Sequence, residues 1–430
     1  MCAAKFASAF LSHSSKDKDF VRAVANSLVQ RGVLAWLDET QLNLGPLQEK
    51  LKEAISNQSL FVIFLSEHSA GSVWCKREIE WMKDNKEARN LIIPIYLGKK
   101  TELEKLVNEH PQLKEIFFYQ DQHGTSLNQL GGITYGSNNL TGNSLSSESD
   151  KIASFIARVV YKKLIQQNWD EVIIHLEERG CSALEGFPTL PKELQNKNAP
   201  ILTFRPCIDE VSYQYTLTDK IWQRVASNMK EALSVALGKL KGQNRTVHIS
   251  GHAQIGCFWL LGTHFNRTTD VDLYCYGQND IMMSNAAQER IGILSGDVSQ
   301  HTIELIDGSI SSDQFSIALL VGPKNQYVAN VKEHNKSRNI PLFHISTEMI
   351  RDSEDAITLV KDIVIQVQAL KETHNFKEVF IYWTTAAQVA VLAAANLTHH
   401  VISKVSFIEY TPNTNDNGGY CHLPMPKEKN

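Results

Sequence analysis

A surplus of charge of either sign is missing from this chain of 430 residues, where 43 lysines and arginines face 47 aspartates and glutamates for a net charge of −4. Wholesale binding to duplex nucleic acid needs a strong basic surplus or a basic face, so that class is set aside. A small charged ligand in one local pocket is not. Cysteine is sparse and unpatterned: the seven (Cys2, Cys75, Cys181, Cys207, Cys257, Cys275, Cys421) include no Cys-x-x-Cys pair. That argues against a structural zinc site and a disulfide framework, and favours a reducing compartment. No uninterrupted apolar span reaches membrane length, and the start Met1-Cys2-Ala3-Ala4-Lys5 leads into no signal-type apolar core. A soluble cytoplasmic protein with no membrane partner and no bound metal is the expectation. The length exceeds what one core usually supports, which implies roughly two or three domains.

What is present alternates between strand and helix patterns. Residues 6–11 read as a short strand, and Phe20, Val21, Val24, Ala25, Leu28 and Val29 recur at helical spacing. Residues 33–37 form a second apolar run, stopped by Asp38, and Leu47, Leu51, Ala54 and Ile55 mark another helix. Residues 60–65 and 91–97 are continuous apolar runs of strand length, as expected of strands covered on both faces. Such alternation predicts an α/β fold with a parallel sheet, whose ligands bind beyond the carboxyl ends of the strands. The segments 12–16, 38–46 and 66–74 all follow strands and so converge on one rim. Pro94 within a strand run predicts an edge position or a bulge. Residues 131–150, rich in Gly, Ser and Asn, read as a mobile loop. A helical stripe over 152–164 closes a first domain, 1–166. Residues 167–199, broken by Gly180, Gly186, Pro188 and Pro191, read as a linker region before a second domain, 200–430.

That second domain repeats a pattern. Residues 246–249 read as a strand, Ser250-Gly251 as a turn, 253–265 as a helix and 271–276 as the next strand. Residues 379–383, Thr384-Thr385, 386–397 and 404–410 give the same order again, with further strands at 317–322 and 341–345 between. The similarity is one of pattern and not of residue identity.

One short run carries chemistry. In Trp74-Cys75-Lys76-Arg77-Glu78, a helix over 74–82 sets the indole of Trp74 one turn from the carboxylate of Glu78. An aromatic face attracts a cationic ring, and a carboxylate stabilises positive charge developing on a sugar as a bond breaks. NAD is a molecule of that kind. The alternative is an ordinary amphipathic helix with Trp74 in the core and Glu78 in solvent. Because the pyridinium leaves as neutral nicotinamide and needs no proton, one carboxylate suffices where ordinary glycoside hydrolysis takes two.

Three motifs in order, Phe10-Leu11-Ser12-His13-Ser14-Ser15-Lys16-Asp17, then Trp36-Leu37-Asp38 leading to Leu44-Gly45-Pro46, then Ser72-Val73-Trp74-Cys75-Lys76-Arg77-Glu78, make the first ~160 residues resemble a TIR domain, a flavodoxin-like module. The resemblance implies that Glu78 is the catalytic glutamate of an NAD+ glycohydrolase and that residues 38–46, with Leu44 and Gly45, form a loop that gates the site and meets neighbouring copies. Some members of this family are adaptors without catalysis, and some make a cyclised ADP-ribose. Ser12, His13, Ser14 and Lys16 sit where N–H groups and a cation meet the substrate's phosphates. Their alternative is a helix cap by Ser14 or Ser15. Asp38 either binds a ribose hydroxyl or ends a strand. Cys75 lacks the His or Asn spacing of a thiol hydrolase and reads as a small buried residue.

The C-terminal part resembles a SAVED domain, built of two fused CARF-like Rossmannoid halves, through Ser250-Gly251-His252-Ala253 to Leu261-Gly262 and through Phe407-Ile408-Glu409-Tyr410, Gly419-Tyr420 and Leu423-Pro424. That resemblance implies an effector of bacterial cyclic-oligonucleotide (CBASS) anti-phage defence. Its activator would be a cyclic oligoadenylate, most often cyclic tri-adenylate in that family, and its NAD depletion would arrest or kill the cell. NAD is then substrate, and no cofactor is required. Recognition of such a ring calls for stacking aromatics, exposed N–H groups and a few cations. Trp383, Thr384 and Thr385 suit one strand end, and Ser250, Gly251, His252 and Gln254 the other, with Arg205 and Tyr276 as further candidates. Trp383 serves equally as core. A sensor gripping one ring also offers a face to the next subunit, predicting ligand-induced oligomers or filaments.

Overall fold

The computed structural model describes residues 5–37, 55, 58–70, 72–84, 92–97, 105, 108–109, 111, 134–135, 143–165, 169–177, 187–206, 219–237, 245–265, 271–277, 282–284, 300–311, 314–324, 327–348, 350–397, 402, 404–410 and 420–423. These divide into two compact units. One takes in residues 1–168, 180–189 and 200–208, and the other residues 169–179, 190–199 and 209–430.

In the N-terminal unit a parallel sheet runs in the order Leu34–Trp36, Ser8–Ser12, Leu60–Leu65, Ile92–Leu97, Thr134–Tyr135. The expected α/β class holds. Ser8–Ser12 and Leu60–Leu65 are buried along their whole length, which is why their sequence is apolar without alternation. Phe10 stacks between Trp36 and Phe61, both centroids 5.4 Å away, and so ties three neighbouring strands together. Pro94 pairs with Ile63 in the strand next to the edge strand, which among the described residues pairs with Tyr96 and Leu97, so the missing N–H falls near the sheet edge as expected.

Two expectations fail here. Residues 143–150 are not loop but the first turns of the helix Asn143–Ile165. Asp150, in this polar stretch, receives both terminal nitrogens of buried Arg31 at 3.0 Å, and that tertiary pairing outweighs the weak local helix preference of Ser and Asn. The segment 167–199 is not a plain linker either: it contains the strand Glu171–Glu177 and the short helix Lys192–Gln195. Pro200–Phe204 pairs in parallel with Lys5–Phe6 and groups with the N-terminal unit, although the sequence suggested that the second domain opens there.

The C-terminal unit holds the predicted pair of halves. In the first, Glu171–Glu177, Arg245–His252 and Val271–Tyr276 lie parallel, and Met282–Ser284 adds antiparallel to the last. The second has Ser316–Gly322, Glu378–Trp383 and Lys404–Tyr410 in parallel, and Tyr420–Leu423 adds antiparallel in the same way. It also carries Leu342–Ser346 and the antiparallel edge strand Ile303–Asp307 beyond Ser316–Gly322. A long helix precedes the middle strand in each half, Asp219–Ala236 and Ser353–His374. A short apolar helix follows it, Ile255–Gly262 and Ala387–Asn396, and these two pack on each other. Both short helices are apolar on nearly all sides because they are buried on nearly all sides. Among the described residues no helix is long and apolar enough to cross a membrane.

Candidate active site and nucleotide-binding residues

Glu78 lies on the helix Val73–Asp84. The buried side chains of that helix, Cys75, Glu78, Ile79 and Met82, follow helical spacing, so the helix lies with this stripe inward. At about 100° per residue, Trp74 and Glu78 are ~40° apart around the axis. Glu78 occupies the margin of the buried stripe nearest Trp74. It is only 2% exposed, while Trp74 is 40% exposed, so neither half of the amphipathic alternative holds. The guanidinium of Arg77 sits over the Trp74 ring, 5.3 Å from its centroid. One face of the indole thus already carries a cation, and a pyridinium must use the other face or displace Arg77.

The Glu78 carboxylate is held from the sheet. Ser12, the last residue of Ser8–Ser12, donates its hydroxyl to Glu78 Oε2 at 2.5 Å, and the serine is fully buried. Ser12 was expected to face substrate phosphates, but the structure turns it into the protein. Beside it, the Cys75 thiol is pushed up to about 11 by burial, with the charge of Glu78 adding to the effect. It is a protonated thiol at neutral pH and not a nucleophile, as its spacing suggested. A second polar link joins neighbouring strand ends, where Ser66 Oγ donates to Asp17 at 2.6 Å. Sequence reasoning missed both links. The available signal was a serine closing each of two adjacent strands.

The loop after Ser12 is occupied locally. His13 Nδ1 lies 2.9 Å from the Leu11 carbonyl, and Ser14 caps the turn Ser15–Asp17 by accepting from the Lys16 amide. The capping alternative therefore describes Ser14, while Lys16 is exposed on the same loop. Asp38, Leu44 and Gly45 lie outside the described residues.

The sensor candidates divide by burial. Ser250 is fully buried with its hydroxyl 2.9 Å from His175 Nδ1. Ser250-Gly251 is not the turn expected but the end of the strand Arg245–His252. Gly251 has φ +119°, and a Cβ there would fall 1.9 Å from the Leu176 carbonyl oxygen, so only glycine lets the two strands meet. His252 is exposed at the strand's end, and Gln254 immediately precedes the helix Ile255–Gly262. That helix receives an anion from the second half, because the Gly256 amide donates to buried Glu409 at 2.6 Å.

Trp383 is 6% exposed, donates its indole N–H to the Ala386 carbonyl at 3.2 Å, and lies 6.2 Å from Trp259. This is the core alternative stated for it. Thr384 donates both its amide and its hydroxyl to the Val321 carbonyl, and Thr385 is half-buried beside it. Tyr276 is buried with its hydroxyl 3.0 Å from His248 Nδ1, inside a polar cluster completed by Glu171 and Lys197. Arg205 follows the strand Pro200–Phe204. It is buried in the N-terminal unit and its amide donates to the Val29 carbonyl, because the strand before it belongs to that unit.

A parallel sheet with a buried carboxylate presented at its carboxyl edge defines a flavodoxin-like unit with an acid site. The N-terminal unit carries a TIR domain, the family model of that description matching residues 9–130. Over 90 residues the chain is 33% identical to the 2′ cyclic ADP-D-ribose synthase AbTIR of Acinetobacter baumannii, a match covering 20% of this chain and 34% of that protein. Over 92 residues it is 27% identical to the NAD(+) hydrolase TcpA of a Theionarchaea archaeon, covering 21% of this chain and 28% of that protein. The chain thus spans about a third of the length of the curated relatives it matches. Among solved structures it is similar to the Acinetobacter baumannii Cap4 SAVED/CARF-domain containing receptor with the cyclic trinucleotide 2′3′3′-cAAA. That likeness covers 94% of this chain and 96% of that one, at 11% identity and a TM-score of 0.44.

Proposed function

We propose that this chain is an NAD+ glycohydrolase, activated by a cyclic oligonucleotide, in which Glu78 stabilises the cation formed as nicotinamide leaves. The observation that carries this reading is the carboxylate itself: 2% exposed, gripped by Ser12 and placed at the carboxyl rim of a parallel sheet, with a partly exposed indole one turn away. Burial strengthens its interaction with a developing positive charge, because less water screens it. The NAD-derived names of the TIR relatives point the same way.

The C-terminal unit is the sensor in this reading, with the ligand at the strand ends marked by His252 and Gln254 in one half and Thr384 and Thr385 in the other. Binding is coupled to catalysis by differential affinity for an assembled state. Self-association into oligomers or filaments completes the site, and NAD depletion is the cellular outcome. Purified protein incubated with NAD+ and a panel of cyclic di- and trinucleotides, cyclic tri-adenylate included, tests this by liquid chromatography. Glu78→Gln keeps the shape and loses the charge, and should cost ~2.7–4 kcal/mol of barrier, about two to three decades in rate. Undiminished turnover in that variant removes Glu78 from the mechanism. Intact NAD+ under every nucleotide leaves the scaffold reading, a TIR adaptor without catalysis.

A second product is favoured by one observation. Two relatives, each matched over 90 residues, are named 2′ cyclic ADP-D-ribose synthases. The retention time of the ADP-ribose product separates the hydrolysed from the cyclised form.

A further inference from the structure

Ser12 Oγ and Glu78 Oε2 are 2.5 Å apart between side chains that are 0% and 2% exposed and lie 66 positions apart in the chain. An ionised carboxylate only accepts hydrogen bonds, so the single hydroxyl proton of Ser12 is committed to Glu78. The serine oxygen then has only lone pairs left to offer, and its next partner must be a donor. The Cys75 thiol, 1% exposed and one helical turn before Glu78, lies on the same buried stripe of the helix. Burial and the neighbouring charge of Glu78 push that thiol up to about 11, so it adds no second anion beside the carboxylate. Ser72 fixes the start of the same turn, since its hydroxyl accepts from the Cys75 amide at 3.3 Å.

We infer that the hydrogen bond from the Ser12 hydroxyl to Glu78 makes Ser12 a positioning residue that aims the carboxylate, and not a contact for the substrate. This rests on the reading of Glu78 as the catalytic carboxylate. The physical logic is pre-organisation. A glutamate side chain has several rotamers, and anchoring one oxygen to the end of the buried strand Ser8–Ser12 fixes the carboxylate before substrate arrives. The strand supplies rigidity that a surface loop lacks. Both side chains are buried, so water cannot replace the serine proton without cost.

The test is steady-state NAD+ cleavage by the full-length chain with its activating cyclic nucleotide, for wild type, Ser12→Ala, Ser12→Thr and Glu78→Gln. Ser12→Ala should lower kcat about ten- to hundredfold with KM within about twofold, the signature of a group that acts on Glu78. Ser12→Thr keeps the hydroxyl and should recover most of the lost kcat. Thermal melts accompany each variant, and Ser12→Thr provides the comparison should Ser12→Ala lose its fold. A rise in KM alone for Ser12→Ala would make Ser12 a substrate contact and overturn the inference. So would wild-type kcat in Ser12→Ala beside an inactive Glu78→Gln, while leaving the catalytic glutamate standing. A wild-type chain that cleaves no NAD+, or a fully active Glu78→Gln, overturns the catalytic reading and this inference with it.

Discussion

Gly262 lies so close to Val391 that a Cβ on the glycine would fall 2.3 Å from the valine carbonyl oxygen, with the Ala394 methyl 2.8 Å away. The relationship joins the two halves of the C-terminal unit, because Gly262 ends one short apolar helix and Val391 lies within the other. Alanine and glycine at the crossing let the helix backbones approach closely, and neither helix has a polar face to turn elsewhere. Gly262→Ala should destabilise the protein by ~1–3 kcal/mol, towards the upper end because the obstacle is backbone and cannot rotate away. Chemical denaturation measures it. An unchanged midpoint would mean that the two helices separate at little cost.

The pair Arg31 and Asp150 supports a similar argument in the N-terminal unit. The Arg31 side chain is 4% exposed and Asp150 43%, with two nitrogen–oxygen contacts at 3.0 Å. Arg31 also donates to the Ser27 carbonyl, and Tyr161 donates to the Arg31 carbonyl. Removing the acid leaves a buried cation with fewer partners, although exposure of Asp150 lets water make up part of the loss. Asp150→Ala should cost ~1–3 kcal/mol and fray residues 143–150 of the helix. Hydrogen exchange resolved to that segment reports the fraying directly.

Trp74 offers a separation of stability from activity. Its ring is partly exposed and, among the described residues, lies under Arg77, so Trp74→Ala should change stability by no more than ~0.5–1 kcal/mol. In the proposed reaction it should lower kcat/KM for NAD+ by about tenfold, or ~1.4 kcal/mol. Calorimetry and steady-state kinetics on one preparation give both numbers. A large drop in melting temperature would place the indole in the core.

Acid should weaken the C-terminal unit through two imidazoles. His248 is lowered to about 4 by burial and then by the charge of Lys197, and His264 to about 4 by burial and then by Lys230. Both folded values lie below the ordinary ~6.5 of an unfolded histidine, so the unfolded chain takes up protons first as pH falls. Their contribution is intact above pH ~6.5, declines as pH falls towards 4, and changes no further below that. Glu171 acts in the same direction: burial tends to raise it, but the hydrogen bond and charge of Lys197 outweigh burial and hold it low. Urea midpoints between pH 7 and 4.5 should drop by the equivalent of at least ~2 kcal/mol. His248→Gln should flatten part of that slope.

Sequence by itself determined the class of each element where burial on all sides leaves a uniform apolar run. Residues 60–65 were legible as a strand to the residue, since a strand covered on both faces has no choice of composition, and 271–276 and 404–410 were legible although Asp272, Lys404, Ser406 and Glu409 interrupt their apolar runs. The repeated order of strand, turn, helix and strand in the second half was visible for the same reason. So was the pairing of Trp74 with Glu78, because helical spacing is a local rule. The turn assigned to Ser250-Gly251 was misread because glycine there serves a strand that needs a close neighbour, a requirement lying in Leu176, 75 residues away. Tertiary structure alone decided that Ser12 faces Glu78, that Asp150 pairs with Arg31 from within a helix where composition suggests loop, and that Pro200–Phe204 joins the first unit. Each of these depends on a partner distant in the chain, and periodicity carries information only about neighbours a few residues apart.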